Sequence, residues 1–152
     1  SFFLRESFRI LILYLEFELK FWSCKAFNQK LGLFEVSTLK KPCADCLAQY
    51  KDIDGILFLF SLDDINTFQN LSEWIESSNV TIPRFLIGNK KSLKENVDFH
   101  LDHLQLPYFE VNALEKIEVE CLFSTLIQKI KKFKAQNFAF QHEISSILFI
   151  EE

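Results

Sequence analysis

Most residues that could do chemistry lie in four short polar stretches, each of which follows an apolar run of the chain. These stretches are residues 23–26, 61–63, 89–92 and 112–114. If the apolar runs are strands of a parallel sheet, their carboxyl ends meet at one edge, where such sheets bind ligands. The candidate nucleophile there is Cys24, but no other stretch holds a histidine that could activate its thiol. We therefore predict a binding edge without catalytic residues.

Two further groups have the composition of an incomplete metal or redox site. Cys43 and Cys46 form a C-x-x-C, and His100 and His103 lie three residues apart in a stretch that reads as a helix. A structural zinc ion needs four ligands, and the sequence has no second C-x-x-C and no H-x(3–5)-H. We interpret the cysteines as thiols of a cytosolic protein and the histidines as part of a solvated helix. No metal site is predicted.

Buried strands and amphipathic helices alternate over most of the chain, which is typical of an α/β fold. Three short runs are apolar on both faces, as expected for strands that helices cover on both sides. These runs are residues 56–60, 82–87 and 108–111, and the predicted helices are residues 63–77, 93–104 and 119–134. The predicted fold class is α/β with three layers, in which helices cover both faces of a mainly parallel sheet.

The first third of the chain gives a weaker pattern. Leu15 to Phe21 alternate strictly between apolar and charged residues, so residues 8–22 read as extended, and part of residues 2–12 reads as a preceding strand. Residues 23–38 lack periodicity and include a glycine, so we expect a long loop there. A helix is predicted to follow over residues 39–51.

Composition restricts the partners. The 152 residues suit one domain, and the formal charge of −4 gives no support to nucleic-acid binding. The apolar run at residues 10–15 is too short to cross a bilayer, so we predict no transmembrane segment and at most peripheral membrane contact. The chain begins with Ser1 and contains no methionine, which leads us to expect a fragment. We expect a domain over residues 1–134 and a tail over residues 135–152.

The stretch F-L-I-G-N-K at residues 85–90 resembles the strand and N-K-x-D motif of Ras-like small GTPases, which are P-loop NTPases. Residues 54–75 look like the strand and helix that precede the motif in that family, and residues 112–114 stand in place of its S-A-K. The resemblance implies that a guanine-nucleotide site has left remnants in this chain, namely Asn89, Lys90, Asn112 and Ala113. Intact members of the family bind GTP and Mg²⁺.

Departures from the family pattern argue against nucleotide binding. The phosphate loop G-x-x-x-x-G-K-[ST] is absent, and an intact protein would carry it upstream of Ser1. The family's D-x-x-G reads as residues 23–26, where Ser23, Lys25 and Ala26 are degenerate positions, and Ser92 replaces the Asp that reads guanine. Loss of a buried bidentate acceptor is costly. We therefore expect no cofactor for the chain as it stands.

A narrower resemblance is to the Rem- and Rab-like small GTPases of the ciliogenesis and planar polarity effector complex. It rests on Phe21-Trp22, Cys24, residues 39–41 and residues 57–61, with an insertion at residues 23–38. The resemblance implies protein partners in a ciliary effector complex, a cytoplasmic protein at the ciliary base, and a role in cilium assembly and vesicle trafficking.

Three functions stay open on this evidence. The first is a degenerate or truncated GTPase-like module that acts by binding proteins. The second is the C-terminal part of an active GTP-binding GTPase whose phosphate loop lies upstream of Ser1. The third is an unrelated α/β enzyme, such as a response-regulator-like or hydrolase domain. Acidic residues at strand ends would favour the third function, and only Asp63 and Asp64 lie there.

Overall fold

A computed structural model describes residues 7–14, 30–38, 52–78, 81–90 and 105–150. The alternating stretch at residues 15–21 and the helices predicted over residues 39–51 and 93–104 lie outside the described residues. Five strands form one sheet: β1 (Ser7–Tyr14), β2 (Lys30–Ser37), β3 (Gly55–Ser61), β4 (Arg84–Asn89) and β5 (Tyr108–Val111). Two helices complete the described elements: α1 (Ile65–Ser77) and α2 (Lys116–Ile150).

All described strand pairs are parallel, and the strand order is β2-β1-β3-β4-β5. Helix α1 packs on one face of the sheet, through Leu71, Trp74 and Ile75. Helix α2 packs on the other face, through Val119, Phe123, Leu126, Ile127 and Ile130. The predicted three-layered α/β fold with a parallel sheet is therefore confirmed. Trp74 is a core residue, with 1% of its surface exposed.

Strand β1 lies in the interior of the sheet. It pairs with β2 on one side and with β3 on the other, and four consecutive residues of it, Ile10 to Leu13, are at most 2% exposed. The prediction of a strand within residues 2–12 is confirmed for this part of the chain.

Strand β2 corrects an expectation. Residues 23–38 were predicted to be a long loop, but Lys30–Ser37 pair with all eight residues of β1. Leu33 packs toward the α2 face, while Phe34 and Val36 pack toward the α1 face. The strand is stabilised by this pairing and by contacts on both faces, which is why local periodicity did not predict it.

Helix α1 begins with a local cap. The Asp64 carboxylate accepts a hydrogen bond from the Asn66 backbone N–H, which satisfies one of the free donors of the first turn. At the other end, the Arg84 guanidinium donates to the Ile75 carbonyl and to the Ser78 hydroxyl. Position and length of this helix agree with the prediction over residues 63–77.

Helix α2 has 35 residues and continues from the expected domain, residues 1–134, into the expected tail, residues 135–152. Between residues 116 and 143, the part of this helix whose side chains are described, the last buried side chain is Ile130, and residues 135–143 are all exposed. Within the described residues, no helix is long and apolar enough to cross a membrane.

Candidate functional site

The candidate site is the edge of the sheet where the strands end. The chain runs from β1 to β2 in one direction and from β3 to β5 in the other, so the direction of the strand order changes between β1 and β3. Open parallel sheets bind ligands at such a switch point, beyond the carboxyl ends of the strands. Tyr14, Thr38, Ser61 and Asn89 occupy or directly follow these ends.

Asn89 joins two of the strand-end loops. Asn89 is the last residue of β4 and is 3% exposed. Its side-chain oxygen Oδ1 accepts a 3.0 Å hydrogen bond from the Ala113 backbone N–H. Its backbone carbonyl accepts from the Leu62 N–H at 3.0 Å, which ties in the loop after β3. Asn89 therefore holds the loops after β3, β4 and β5 in a fixed relation.

Lys90 faces Glu110, on the neighbouring strand. Its Nζ lies 3.3 Å from Glu110 Oε2, and both side chains are partly exposed. Glu110 also accepts a hydrogen bond from the Tyr108 hydroxyl at 2.9 Å. Burial raises the pKa of Tyr108 above its ordinary value of 10.0, and the hydrogen bond to Glu110 and its negative charge add to the increase. The Lys90 ammonium is thus held by an internal carboxylate rather than left for a ligand.

The loop after β5 is organised by Asn112. Its side-chain oxygen accepts from the Leu114 N–H at 3.0 Å, and its backbone N–H donates to Glu118 Oε2 at 3.0 Å. Ala113, between them, is 3% exposed. The four residues predicted to be remnants of a site, Asn89, Lys90, Asn112 and Ala113, therefore lie together at two adjacent strand ends.

The loop after β3 is closed by its own hydrogen bonds. Ser61 donates its backbone N–H to Thr67 Oγ1 at 2.8 Å, and the Thr67 hydroxyl donates to the Asp64 carbonyl at 2.6 Å. Asp63 and Asp64 are exposed. Among the described residues, no group of three or more histidines, cysteines or acidic residues could hold a metal ion.

The predicted degenerate positions, Ser23, Lys25, Ala26 and Ser92, lie outside the described residues, as do three of the four cysteines and both histidines of residues 100–103. The fourth cysteine, Cys121, is exposed on α2.

Sequence reasoning missed the end of β2. Thr38 follows this strand, is 3% exposed, and donates its N–H to the Tyr14 carbonyl at 2.7 Å. Among the described residues, its buried hydroxyl has no hydrogen-bond partner. The available signal was the apolar stretch Leu31, Leu33, Phe34 and Val36, which Gly32 and the charged Glu35 interrupt.

Comparison with known proteins gives the following similarities. The model of the Ras family matches residues 45–132. The GTP-binding protein YPTM1 of Zea mays is 26% identical over 117 residues, which cover 70% of this chain and 56% of that protein. The Ras-related protein Rab-1A of Dictyostelium discoideum is 27% identical over 113 residues, which cover 67% of this chain and 56% of that protein.

A third relative matches more of the chain. The GTP-binding protein ypt1 of Schizosaccharomyces pombe is 23% identical over 144 residues, which cover 87% of this chain and 71% of that protein. For the first two relatives, YPTM1 and Rab-1A, the chain spans about half of the relative's length, 56% in each case.

Proposed function

The chain belongs to the Ras family of small GTPases, and we propose that it is a Rab-like domain which acts by binding proteins and does not bind GTP. The unrelated α/β enzyme is set aside, because the family match covers residues 45–132.

The segment that follows β1 carries this proposal. In P-loop proteins the phosphate loop G-x-x-x-x-G-K-[ST] connects a strand to a helix. Because β1 lies beside β3 at the switch point, the corresponding segment begins at Tyr14 and reads Y-L-E-F-E-L-K-F. Tyr14 and Leu19 stand in place of the two glycines and Phe21 in place of the Ser or Thr, so only Lys20 is retained. The position of β1 supports residues 14–21 as the proposed counterpart of the phosphate loop.

These residues do not fit a nucleotide with its magnesium ion. The glycines of a phosphate loop let backbone N–H groups approach the phosphates, and the Ser or Thr hydroxyl binds Mg²⁺. A tyrosine and a leucine would fill the space that glycines leave for the phosphates, and a phenylalanine side chain has no oxygen with which to bind a metal.

The end of β2 supports the same proposal. Strand order supports Glu35-Val36-Ser37-Thr38, at the end of β2, as the proposed counterpart of the family's D-x-x-G, in preference to residues 23–26. Thr38 puts a buried side chain where the family has a glycine that brings a backbone N–H to the phosphate.

The base side of the site is also altered. Ser92 replaces the Asp that takes two hydrogen bonds from guanine, and a serine hydroxyl can accept only weakly in its place. Lys90 is paired with Glu110, and the Ala113 N–H is already bound to Asn89. A guanine base would have to compete with these internal contacts.

Isothermal titration of the purified chain with GTP and with GDP, each in excess Mg²⁺, tests the proposal. We expect no heat of binding up to ligand concentrations of hundreds of micromolar. A matched titration of the Ser92→Asp variant shows whether the base site alone is limiting, and we expect it to remain silent because the phosphate loop is still degenerate. Micromolar affinity in the unmodified chain would reject the proposal.

A second candidate is a protein that still binds GTP weakly. It is favoured by the Asn89–Ala113 hydrogen bond, which keeps two strand-end loops in register, and by the retained Lys20. Release of guanine nucleotide from the protein after denaturation, measured by chromatography against the Lys20→Ala variant, would support this candidate. An empty wild-type protein would support the first.

For cellular role, we propose vesicle trafficking through protein partners, in keeping with the Rab-like relatives, and more narrowly cilium assembly. The narrower proposal rests on the sequence landmarks Phe21-Trp22, Cys24, residues 39–41 and residues 57–61. A fluorescent fusion expressed in ciliated cells tests it, with a basal-body marker as reference. Diffuse fluorescence in the cytoplasm, with no enrichment at the ciliary base, would reject the ciliary role.

A further inference from the structure

Two aliphatic side chains at the start of helix α2 are exposed. Leu114 is 59% exposed and Ile117 is 75% exposed. Among the described residues, the other exposed large hydrophobic side chains are Phe138 and Phe140, far along the same helix. Leu114 directly follows Ala113, which is buried in the loop after β5. The two aliphatic side chains therefore lie at the strand-end edge that forms the candidate site.

The backbone under these side chains is held in place. The Leu114 N–H donates to Asn112 Oδ1 and the Glu115 N–H to the Asn112 carbonyl, each at 3.0 Å. The Asn112 N–H in turn donates to Glu118 Oε2 at 3.0 Å, which connects the loop to the first turn of α2. Single exposed aliphatic residues are common on protein surfaces. This pair differs because its backbone is already ordered, so that binding of a partner costs less conformational entropy.

The loop after β3 lies next to the loop after β5. The Leu62 N–H donates to the Asn89 carbonyl, and the Ala113 N–H donates to the Asn89 side chain, each at 3.0 Å. The residues that directly follow these two donors are exposed. One surface, formed by residues 62–64 and 112–120, therefore runs along the strand-end edge. We call it the leucine–isoleucine surface.

The leucine–isoleucine surface is acidic. Its two segments contain five acidic residues and one lysine, Lys116, which forms an ion pair with Glu120 at 3.9 Å. The whole chain has 17 basic and 21 acidic residues, so these two segments account for its entire excess of negative charge. Carboxylates repel phosphate groups, which disfavours nucleic acid and anionic lipid as binding partners of this surface.

We propose that the leucine–isoleucine surface binds a basic segment of a partner protein. Apolar side chains of that segment cover Leu114 and Ile117, while its lysines or arginines face the surrounding carboxylates. Opposite charges steer such a segment to the surface, and burial of the two aliphatic side chains supplies affinity. The assignment rests on the proposed function, in which the domain acts by binding proteins.

The residue type at position 114 supports a protein partner. Leu114 stands in place of the lysine of the family's S-A-K. Compared with that lysine, leucine removes a positive charge from the strand-end edge and adds an exposed aliphatic group. The edge is thereby more acidic and more apolar, which suits a basic protein segment better than an anionic ligand.

A peptide library tests the surface directly. Random peptides displayed on phage are selected on the wild-type chain and counter-selected on the double variant Leu114→Gln, Ile117→Gln. We expect the enriched peptides to carry a net positive charge, with apolar residues beside their lysines or arginines. Phe138→Gln is the matched control, because Phe138 is 73% exposed on the same helix but lies about 30 Å along it from Ile117. This variant should bind the enriched peptides as the wild type does.

Fluorescence anisotropy with the most enriched peptide gives the affinities. We expect micromolar binding to the wild type and a loss of about tenfold or more in Leu114→Gln and in Ile117→Gln. Glu115→Gln should weaken binding less, and its effect should shrink at high salt because it acts through charge. Circular dichroism and urea denaturation show whether each variant keeps its fold.

Three outcomes would overturn the proposal. Peptides that bind the wild type and the double variant equally would show that proteins bind elsewhere on the domain, which leaves the proposed function standing. Enriched peptides without a positive charge would exclude a basic partner segment, and a selection that enriches no peptide on the folded wild type would exclude the surface. Micromolar affinity for GTP, measured by titration, would reject the proposed function separately from all three.

Discussion

Gly88 and Tyr108 lie on adjacent strands, and a Cβ atom added at Gly88 would come within 2.6 Å of the Tyr108 hydroxyl oxygen. The same atom would lie 3.2 Å from Phe60 and 3.3 Å from Leu62. The Tyr108 side chain stacks near the Phe60 ring, with 6.1 Å between ring centroids, so it has little room to move away. The absence of a side chain at Gly88 is therefore what lets the Tyr108 hydroxyl reach Glu110.

Replacement of Gly88 by alanine should destabilise the fold. We expect a loss of about 1–3 kcal/mol in the free energy of unfolding, because the overpacking exceeds the gain from a less flexible unfolded chain. Urea denaturation followed by tryptophan fluorescence measures it. Gly32→Ala is the matched control, since its added Cβ meets no atom closer than 3.4 Å, and it should change stability much less.

A double variant separates the contact of the added Cβ with the Tyr108 hydroxyl from its contacts with Phe60 and Leu62. Tyr108→Phe removes the oxygen that lies closest to position 88, so Gly88→Ala should cost less in this background than in the wild type. Equal costs in the two backgrounds would show that Phe60 and Leu62, and not Tyr108, set the limit at Gly88.

Tyr108 should ionise only at strongly alkaline pH. Its pKa is raised by burial first, then by the hydrogen bond to Glu110 and the charge of that carboxylate. A raised pKa in the folded state means that the stabilisation is complete below the unfolded value near 10 and is lost as the pH rises above it. The free energy of unfolding should therefore fall above about pH 10 more steeply in the wild type than in Tyr108→Phe.

Phenolate absorbance provides the measurement. Folded wild-type protein and Tyr108→Phe should show the same increase in absorbance from about pH 9 to 11, because Tyr108 does not contribute in this range. In urea, the wild type should show one additional tyrosine. A difference of one tyrosine between the folded proteins would contradict the raised pKa.

The sheet was predictable where each strand is buried on both faces. The strands at residues 55–61, 84–89 and 108–111 and the helices on either side were read from apolar runs and helical spacing, which record local burial. Strand β2 could not be predicted in this way, because Gly32 interrupts its apolar pattern. The strand is stabilised by pairing with β1, whose residues lie more than twenty positions earlier in the chain.

In the candidate site, too, features set by local sequence were predicted and features set by distant residues were not. Asn89 and Lys90 were identified by their place after a buried strand, but their partners were not, since Ala113 and Glu110 belong to a different strand and its loop. The proposed counterparts of the phosphate loop and of D-x-x-G depend on which strand lies beside β3. That neighbour is a property of the sheet, and the linear sequence did not specify it.

Loss of the Asn89 side chain should loosen the two strand-end loops. Asn89→Ala leaves the buried Ala113 N–H without its acceptor, which costs about 1–3 kcal/mol in the free energy of unfolding. Amide hydrogen exchange at Ala113 should become faster than in the wild type, by more than the lower free energy of unfolding of the variant explains. Asn112→Ala is the control, because its hydrogen bond to the Leu114 N–H is exposed and should matter less. An unchanged Ala113 exchange rate in Asn89→Ala would exclude this role.

Asp54 connects the opposite end of the sheet to helix α2. Its carboxylate accepts from the Arg9 N–H at 2.8 Å, its own N–H donates to the Arg9 carbonyl at 2.7 Å, and its other oxygen pairs with Lys134 at 2.5 Å. Asp54→Ala removes the first and third of these contacts and should cost about 1–3 kcal/mol, because the Arg9 N–H is left unpaired in the sheet.

Lys134→Gln removes the ion pair with Asp54, together with the contact of the ammonium over the Phe8 ring, and leaves the hydrogen bond to Arg9 in place. The lysine side chain is 51% exposed, so we expect a loss below about 1 kcal/mol that shrinks further at high salt. Urea denaturation at low and at high ionic strength measures both variants. The Asp54→Ala loss should be nearly independent of salt, since most of it comes from an unpaired backbone donor. A salt-sensitive loss of equal size in the two variants would instead mean that the ion pair, and not the hydrogen bond to Arg9, holds β1 and β3 to α2.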